Sequence, residues 1–273
     1  MQRDLFGQLD HVRDVLVHPP CGIVTDVDGT ISEISSSLDA AFVPATLSEQ
    51  LRVLAEHLDL VAAISGRSAN DVRRMVGIDE LVYVGNHGLE WWTKGRARLS
   101  RGIRPYIAIM AHALSEIESQ VSFDGVVLEN KGATATVHYR QAADPDLARA
   151  AILAATRSSP AAKTLNITEG KMVIELRPPL QVNKGWALRR LVSDHQLRSV
   201  IYLGDDITDI DAFTVLRSLR TAGKIDGVAV AVLSGETPVK VVEQADATLQ
   251  GVPEVERFVR WLNHEIFGRS AIK

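Results

Sequence analysis

Short unbroken apolar runs punctuate the chain, and each of them ends in a polar cluster. Residues 22–25, 60–64, 81–84 and 200–203 are too short for helices and are bounded by turn residues, so they read as buried strands. Between them the apolar positions recur at helical spacing. Leu5, Leu9, Val12 and Leu16 predict a helix over 4–17, stopped by Pro19-Pro20. Further helices are expected over 47–58, with Thr46 or Ser48 at the N-cap, and over 70–76, 184–195, 211–219, 238–245 and 252–266. One more strand is expected over 227–232. Strand and helix alternating in this way, with strands apolar throughout, predict an α/β fold: a Rossmann-like parallel sheet covered on both faces.

The middle of the chain has a different texture. Residues 89–99 read as a hairpin turning at Lys94-Gly95, and 103–121 as a helix. Residues 126–129 and 133–140 alternate apolar and polar positions around Asn130-Lys131-Gly132, the pattern of an antiparallel hairpin. A helix over 145–156 precedes a second hairpin, 164–167 with 171–176, turning at Glu169-Gly170. Two hairpins and two helices predict an open sheet with helices on one face. The parallel domain is therefore expected in two pieces, 1–102 and 180–273, around an inserted α+β domain at 103–179, with 177–179 as a linker.

Composition narrows the function classes. The chain has 273 residues, 46% of them apolar, which suits a sizeable core. A net charge of -4 gives no basic footprint for nucleic acid. The single cysteine, Cys21, excludes an intrachain disulfide and a cysteine-based zinc site and fits a reducing cytoplasm. No apolar run reaches membrane-spanning length and no signal pattern opens the chain, so a cytoplasmic protein without membrane partners, and a monomer, is expected.

The strand ends carry the candidate chemistry: Asp26-Val27-Asp28-Gly29-Thr30, Ser65-Gly66-Arg67, Asn86-His87 and Gly204-Asp205-Asp206, with Asn183-Lys184-Gly185 opening a helix. Asp-x-Asp-Gly is also ordinary turn chemistry and the start of a calcium loop. A calcium loop wants Gly sixth and Glu twelfth, and counting from Asp26 gives Ile31 and Ser37. Parallel strands present ligand sites at their carboxyl ends, so these groups are expected in one crevice. Two carboxylates about 4 Å apart repel by roughly 4 kcal/mol at an effective dielectric near 20. Asp26, Asp28, Asp205, Asp206 and Asp209 therefore call for a counterion, and Mg²⁺ with oxygen ligands suits phosphate chemistry.

In that reading Asp26 is the nucleophile and Asp28 the acid and base, its acid form favoured by like-charged neighbours. Ser65 and Lys184 hold the transferring group. Asp26, Asp205 and the main-chain carbonyl of Asp28 hold the metal. Simpler roles exist for each: Ser65 as a helix cap, Lys184 as a solvated charge, Asp205 and Asp206 as caps at a helix's positive end, His87 as a positioning group and Trp91-Trp92 as packing.

The ordered set resembles the four motifs of haloacid dehalogenase superfamily phosphatases, and the insertion is similar to that superfamily's C2-type caps. Ile64 to Arg67, Gly85 to Glu90, Glu129-Asn130-Lys131, Val137 to Arg140, Glu175 to Pro178, Asn183 to Gly185 and Gly204 to Phe213 resemble the trehalose-6-phosphate phosphatase family, over nearly all of 20–262. That resemblance implies Mg²⁺-dependent hydrolysis of trehalose 6-phosphate, in trehalose biosynthesis. It implies sugar contacts from Glu129, Lys131, Glu175 and Arg140 in the cap, and from Arg67, Asn86 and His87 in the core. Ile210 and Thr25 depart from the family pattern, which usually has Glu and an apolar residue there. Other sugar phosphates (of sucrose, glucosylglycerol or mannosylglycerate) and a non-catalytic sugar-phosphate-binding role are the alternatives.

Overall fold

The computed structural model describes residues 4–34, 41–170 and 172–270. In chain order the strands are β1 (Cys21–Thr25), β2 (Leu60–Ile64), β3 (Val82–Gly85), β4 (Glu90–Thr93), β5 (Arg96–Leu99), β6 (Val127–Asn130), β7 (Ala135–His138), β8 (Asn166–Gly170), β9 (Val173–Arg177), β10 (Ser199–Gly204), β11 (Asp226–Leu233) and β12 (Ala247–Gln250). The helices are α1 (Leu9–Leu16), α2 (Ala45–His57), α3 (Ala69–Val76), α4 (Arg104–Glu118), α5 (Pro145–Ser158), α6 (Lys184–Asp194), α7 (Asp209–Thr221), α8 (Val239–Gln244) and α9 (Gly251–Ser270). The chain divides into two compact units, Met1–Arg98 with Val182–Lys273, and Leu99–Gln181.

In the first unit the strands run in the order β12-β11-β10-β1-β2-β3-β4-β5. They pair in parallel from β12 to β3, and β4 joins β3 antiparallel. Because successive side chains of a strand point to opposite faces, the apolar runs feed two separate cores. Ile23, Val61, Ala63, Ile201 and Leu203 meet Val12, Leu47, Leu51, Leu54, Val72, Val255 and Phe258 from α1, α2, α3 and α9. Val24, Ala62, Ile64, Val200 and Tyr202 meet Leu188, Leu191, Phe213, Leu216 and Val241 from α6, α7 and α8. Each large side chain fully buried in this way contributes about 1.5–3 kcal/mol. The central strands are thereby held rigidly, and their carboxyl ends with them.

In the second unit a sheet in the order β6-β7-β9-β8 is antiparallel throughout. Ala135, Val137, Ile174 and Leu176 are buried against Met110, Ile117, Ala148 and Ile152 of α4 and α5. Pairing puts Glu129 opposite Thr136, Thr136 opposite Glu175, and Glu175 opposite Thr168. These four therefore form one polar row across the sheet, on the face away from the helices.

Several local expectations need correction. The N-cap of α2 is Pro44, with Ser48 N donating to the Pro44 carbonyl, so Thr46 and Ser48 lie inside the helix. Helix α7 starts at Asp209, two residues early, because the Asp209 side chain accepts from the main chain just ahead of it. Glu169 and Gly170 belong to β8 and do not form the turn. Strand β12 was not expected; at four residues it gives too little periodicity to read. Ser37, twelfth in the calcium-loop count, and Lys171, where the second strand of the second hairpin is expected to begin, lie outside the described residues.

Candidate active site

The register brings the carboxyl ends of β10, β1, β2 and β3 side by side. Thr25 lies between Leu203 and Ala63, and Ile64 faces Val84. The next residue along each strand extends this alignment: Asp26 N donates to the Leu203 carbonyl at 2.8 Å, and Ser65 N to the Val84 carbonyl at 2.9 Å. The helix-start residue Lys184 reaches the same place. Asn183 caps α6 by accepting from Trp186 N at 2.8 Å, which sets Lys184 in the first turn.

Lys184 is 2% exposed, and its Nζ lies 2.7 Å from Asp26 Oδ1 and 2.8 Å from Asp209 Oδ1. Burial works against the ammonium, but Asp209 and Asp26 outweigh it and hold the Lys184 pKa well above its ordinary value. Burial pushes the Asp26 carboxyl well above the carboxylate range; Lys184 pulls against this, and Asp209 and Asp205 add to it. Asp205 is pushed up to about 7, chiefly by burial and then by Asp209. One side-chain oxygen each from Asp26, Asp205 and Asp209 lie within 4.8 Å of one another. With all three ionised, three carboxylates against one ammonium would leave two negative charges in a buried place, and this crowding is part of what raises Asp26 and Asp205. Asp26 and Asp205 offer hard carboxylate oxygens beside that excess of negative charge, so they fit a hard divalent cation.

Two contacts shape the cluster. Thr30 Oγ1 donates to Asp205 Oδ1 at 3.1 Å. Gly29 has φ +88°, and a Cβ there would sit 2.1 Å from Asp205 Oδ2, so the turn after Asp28 approaches the Asp205 carboxylate as only glycine permits. Thr25, one of the departures, is buried with its hydroxyl bonded to the Asp26 carbonyl at 2.7 Å. Ile210, the other, packs against the core under α6 and α7.

The remaining core residues fall around this cluster. Ser65 is buried; its hydroxyl accepts from Arg67 N at 3.1 Å and its carbonyl from His87 N at 2.9 Å. Asn86 is fully buried, and Asn86 and His87 both take positive φ, at 48° and 56°. Arg67 grips Asp28 through Nε at 2.8 Å from Oδ2 and Nη2 at 2.7 Å from Oδ1. This corrects one expectation. The Asp28 side chain faces a guanidinium, not like charges, because β1 and β2 are neighbours and their loops meet.

In the second unit Glu129 Oε2 lies 2.8 Å from His138 Nε2 and 3.6 Å from Lys131 Nζ. Burial disfavours the Glu129 carboxylate, but His138 and then Lys131 outweigh it and lower its pKa. Glu175 shares the polar row two strands away, with Thr136 between. Arg140 is exposed in the turn beyond β7. Residue-by-residue reading overlooked His138, although its place two residues after Thr136 on an alternating strand puts it on the same face. It also counted Asp209 only among the carboxylates that call for a counterion, with no individual role, although the run Asp205-Asp206-Ile207-Thr208-Asp209 places it one helical turn beyond Asp205.

Comparison with known proteins identifies the family. The trehalose-phosphatase family profile matches residues 24–250. A trehalose-phosphate phosphatase of Mycobacterium tuberculosis is 35% identical over 246 residues, covering 85% of this chain and 62% of that protein. One from Mycobacterium avium is 36% identical over 223 residues, covering 79% of this chain and 54% of that protein. The chain thus spans under two thirds of the length of these relatives. The C-terminal domain of the C. albicans trehalose-6-phosphate phosphatase has the same fold, with a TM-score of 0.74 at 22% identity over 97% of this chain and 99% of that one. The match runs from β1 to β12 and takes in both units, and the chain belongs to the trehalose-phosphatase family.

Proposed function

We propose that this chain hydrolyses trehalose 6-phosphate to trehalose and inorganic phosphate, with Mg²⁺, through an aspartyl-phosphate on Asp26. The observation that carries the reading is the Asp26–Lys184 pair at 2.7 Å, at the carboxyl end of a central strand, in a chain of this family.

An Asp26 carboxylate oxygen attacks phosphorus, and the phosphorus–oxygen bond to the sugar breaks. Asp28, protonated from solvent once Arg67 turns to the phosphoryl group, gives that proton to the departing sugar oxygen. It then takes a proton from the water that attacks phosphorus and releases Asp26. Arg67 holds Asp28 before substrate arrives. The incoming phosphoryl group offers Arg67 a second anion, and its transfer frees Asp28. Lys184 keeps its charge throughout and follows the negative charge from Asp26 to the phosphoryl oxygens. The Ser65 hydroxyl donates to the same oxygens. Asp26, Asp205 and the main-chain carbonyl of Asp28 are the residues that would hold Mg²⁺, which when bound supplies positive charge to the phosphoryl oxygens.

A disaccharide presents many hydroxyls, and buried polar groups that pair with them reject analogues lacking one. Glu129, Lys131, Glu175 and Arg140 in the second unit, and Asn86 and His87 in the first, are proposed for these contacts. The Glu129–His138–Lys131 cluster offers donors and an acceptor on one sheet face, as sugar hydroxyls require. No described helix is long and apolar enough to cross a membrane. A cytoplasmic location suits the lone buried Cys21. Phosphate release should be fastest from trehalose 6-phosphate in a panel with sucrose and glucose phosphates. Preference for another sugar phosphate would replace the proposed substrate, and no release from any would remove the enzymatic reading.

A further inference from the structure

Asp209 takes a full set of donors. Its Oδ1 accepts from Lys184 Nζ at 2.8 Å and from the Tyr202 hydroxyl at 2.7 Å. Its Oδ2 accepts from the main-chain N–H groups of Asp205 at 3.2 Å and Asp206 at 3.0 Å. An ionised carboxylate has about four lone-pair sites, so these four donors use them all. Asp209 lies near enough to Asp26 and Asp205 to join a metal site, yet it has no lone pair left for a cation. Tyr202 makes the difference. It sits on β10, fully buried, with its ring edge-on to Phe213 at 5.7 Å between centroids. Burial first, and then Asp209, push its phenol well above the ordinary value, so it remains a donor.

We propose that Tyr202 is a positioning residue: by filling the last acceptor site of Asp209 it keeps Asp209 from ligating the cation and fixes it as the second anchor of Lys184 opposite Asp26. Asp209 then serves as a brace. It ties the start of α7 to the loop after β10 and holds the Lys184 ammonium at a constant place while Asp26 gains and loses a phosphoryl group. Without the phenol, one Asp209 lone pair would be left without a donor and would be available to a cation bound beside Asp26 and Asp205. A site with an added carboxylate favours Ca²⁺, which takes 6–8 oxygens, over Mg²⁺, which takes fewer protein ligands and keeps its waters.

This inference rests on the aspartyl-phosphate reading for its catalytic arm, while its metal arm stands without any substrate. Tyr202→Phe keeps the ring that packs on Phe213 and removes only the hydroxyl. Calorimetric titration of the metal-free protein with Mg²⁺ and with Ca²⁺ should show the Ca²⁺ to Mg²⁺ affinity ratio rising about tenfold or more in this variant. With saturating Mg²⁺, kcat should fall about 10–100-fold, the usual range when a partner of a metal-site residue is lost, while KM stays within about twofold. An unchanged affinity ratio overturns the proposal, as does an unchanged kcat. Should Tyr202→Phe fail to fold, Asp209→Asn decides. It removes a charge but no ligand, so both cations should weaken by the same factor, and a loss selective for one cation means that Asp209 ligates it and overturns the proposal. If trehalose 6-phosphate is not turned over by the parent enzyme, the functional reading fails while the titrations still decide the role of Tyr202.

Discussion

Replacing Lys184 by methionine tests the electrostatic design of the site. The change keeps most of the apolar stem and removes a buried ammonium that lies 2.7 Å from Asp26 and 2.8 Å from Asp209. Removing one partner of a buried ion pair costs about 3–5 kcal/mol, because the remaining charge is left uncompensated. That is a large part of a typical stability of about 5–15 kcal/mol. At about 2–4 °C per kcal/mol for a protein near this size, Tm should drop by about 6–20 °C. The sign with pH follows from the direction of the shifts. The Lys184 pKa is raised, so its stabilisation is fully present below the unfolded lysine value of about 10.4 and is lost only above it. The parent is therefore protected at both pH 5 and pH 8. In the variant the acids can relieve the imbalance by taking protons, so the Tm loss should be greater at pH 8 than at pH 5. Added Mg²⁺ should recover part of the loss, up to about 2.7 kcal/mol at a hundredfold excess over its Kd. Activity should fall at least about 10²–10³-fold, as when one preorganised donor is lost. Circular-dichroism melts at both pH values, with and without Mg²⁺, and phosphate-release assays provide the readouts. A Tm within about 2 °C of the parent together with kcat within about tenfold would refute the argument.

Three further predictions follow from other parts of the structure. Gly29→Ala forces a side chain into a left-handed backbone, costing about 1–2 kcal/mol, and against Asp205 Oδ2. The variant should lose the Tm gain that Mg²⁺ gives the parent, and a retained gain would contradict the site. Glu175→Ala should raise KM for trehalose 6-phosphate and spare a small generic phosphate ester; equal losses on both would make Glu175 structural. The Glu129 pKa is lowered, so its stabilisation is present above the unfolded value of about 4.3 and is lost as pH falls through the folded one. Glu129→Gln should therefore lose less Tm than the parent between pH 6 and pH 3, and an identical acid slope would count against the His138 and Lys131 pairing.

The parts legible in the chain were those that depend on local pattern. Unbroken apolar runs marked β1, β2, β3 and β10, and the polar residue after each run marked the strand end. Once the strands are parallel neighbours, Asp26, Ser65, Asn86 and Asp205 have to converge. Specific side-chain partners were less legible. Whether Asp28 meets acids or Arg67 depends on which loops adjoin, and that follows from strand order, which periodicity does not carry. Tyr202 reads as one more apolar residue of a buried strand, and only the fold turns its hydroxyl toward Asp209. His138 was within reach by alternation, because Thr136 and His138 share a face, but its pairing with Glu129 needs the hairpin register. The cap of α2 was misjudged because Thr46 and Ser48 are good capping residues, while Pro44 starts the helix by its backbone geometry alone.

The most direct test of the central claim is to follow the phosphoryl group. Trehalose 6-phosphate carrying a labelled phosphate is mixed with the enzyme and Mg²⁺, quenched in acid within one turnover, and the protein is digested and mapped. The account predicts label on the peptide containing Asp26, its loss on further incubation as phosphate appears, and none in Asp26→Asn. Turnover without any labelled protein, or label on another residue, would contradict it.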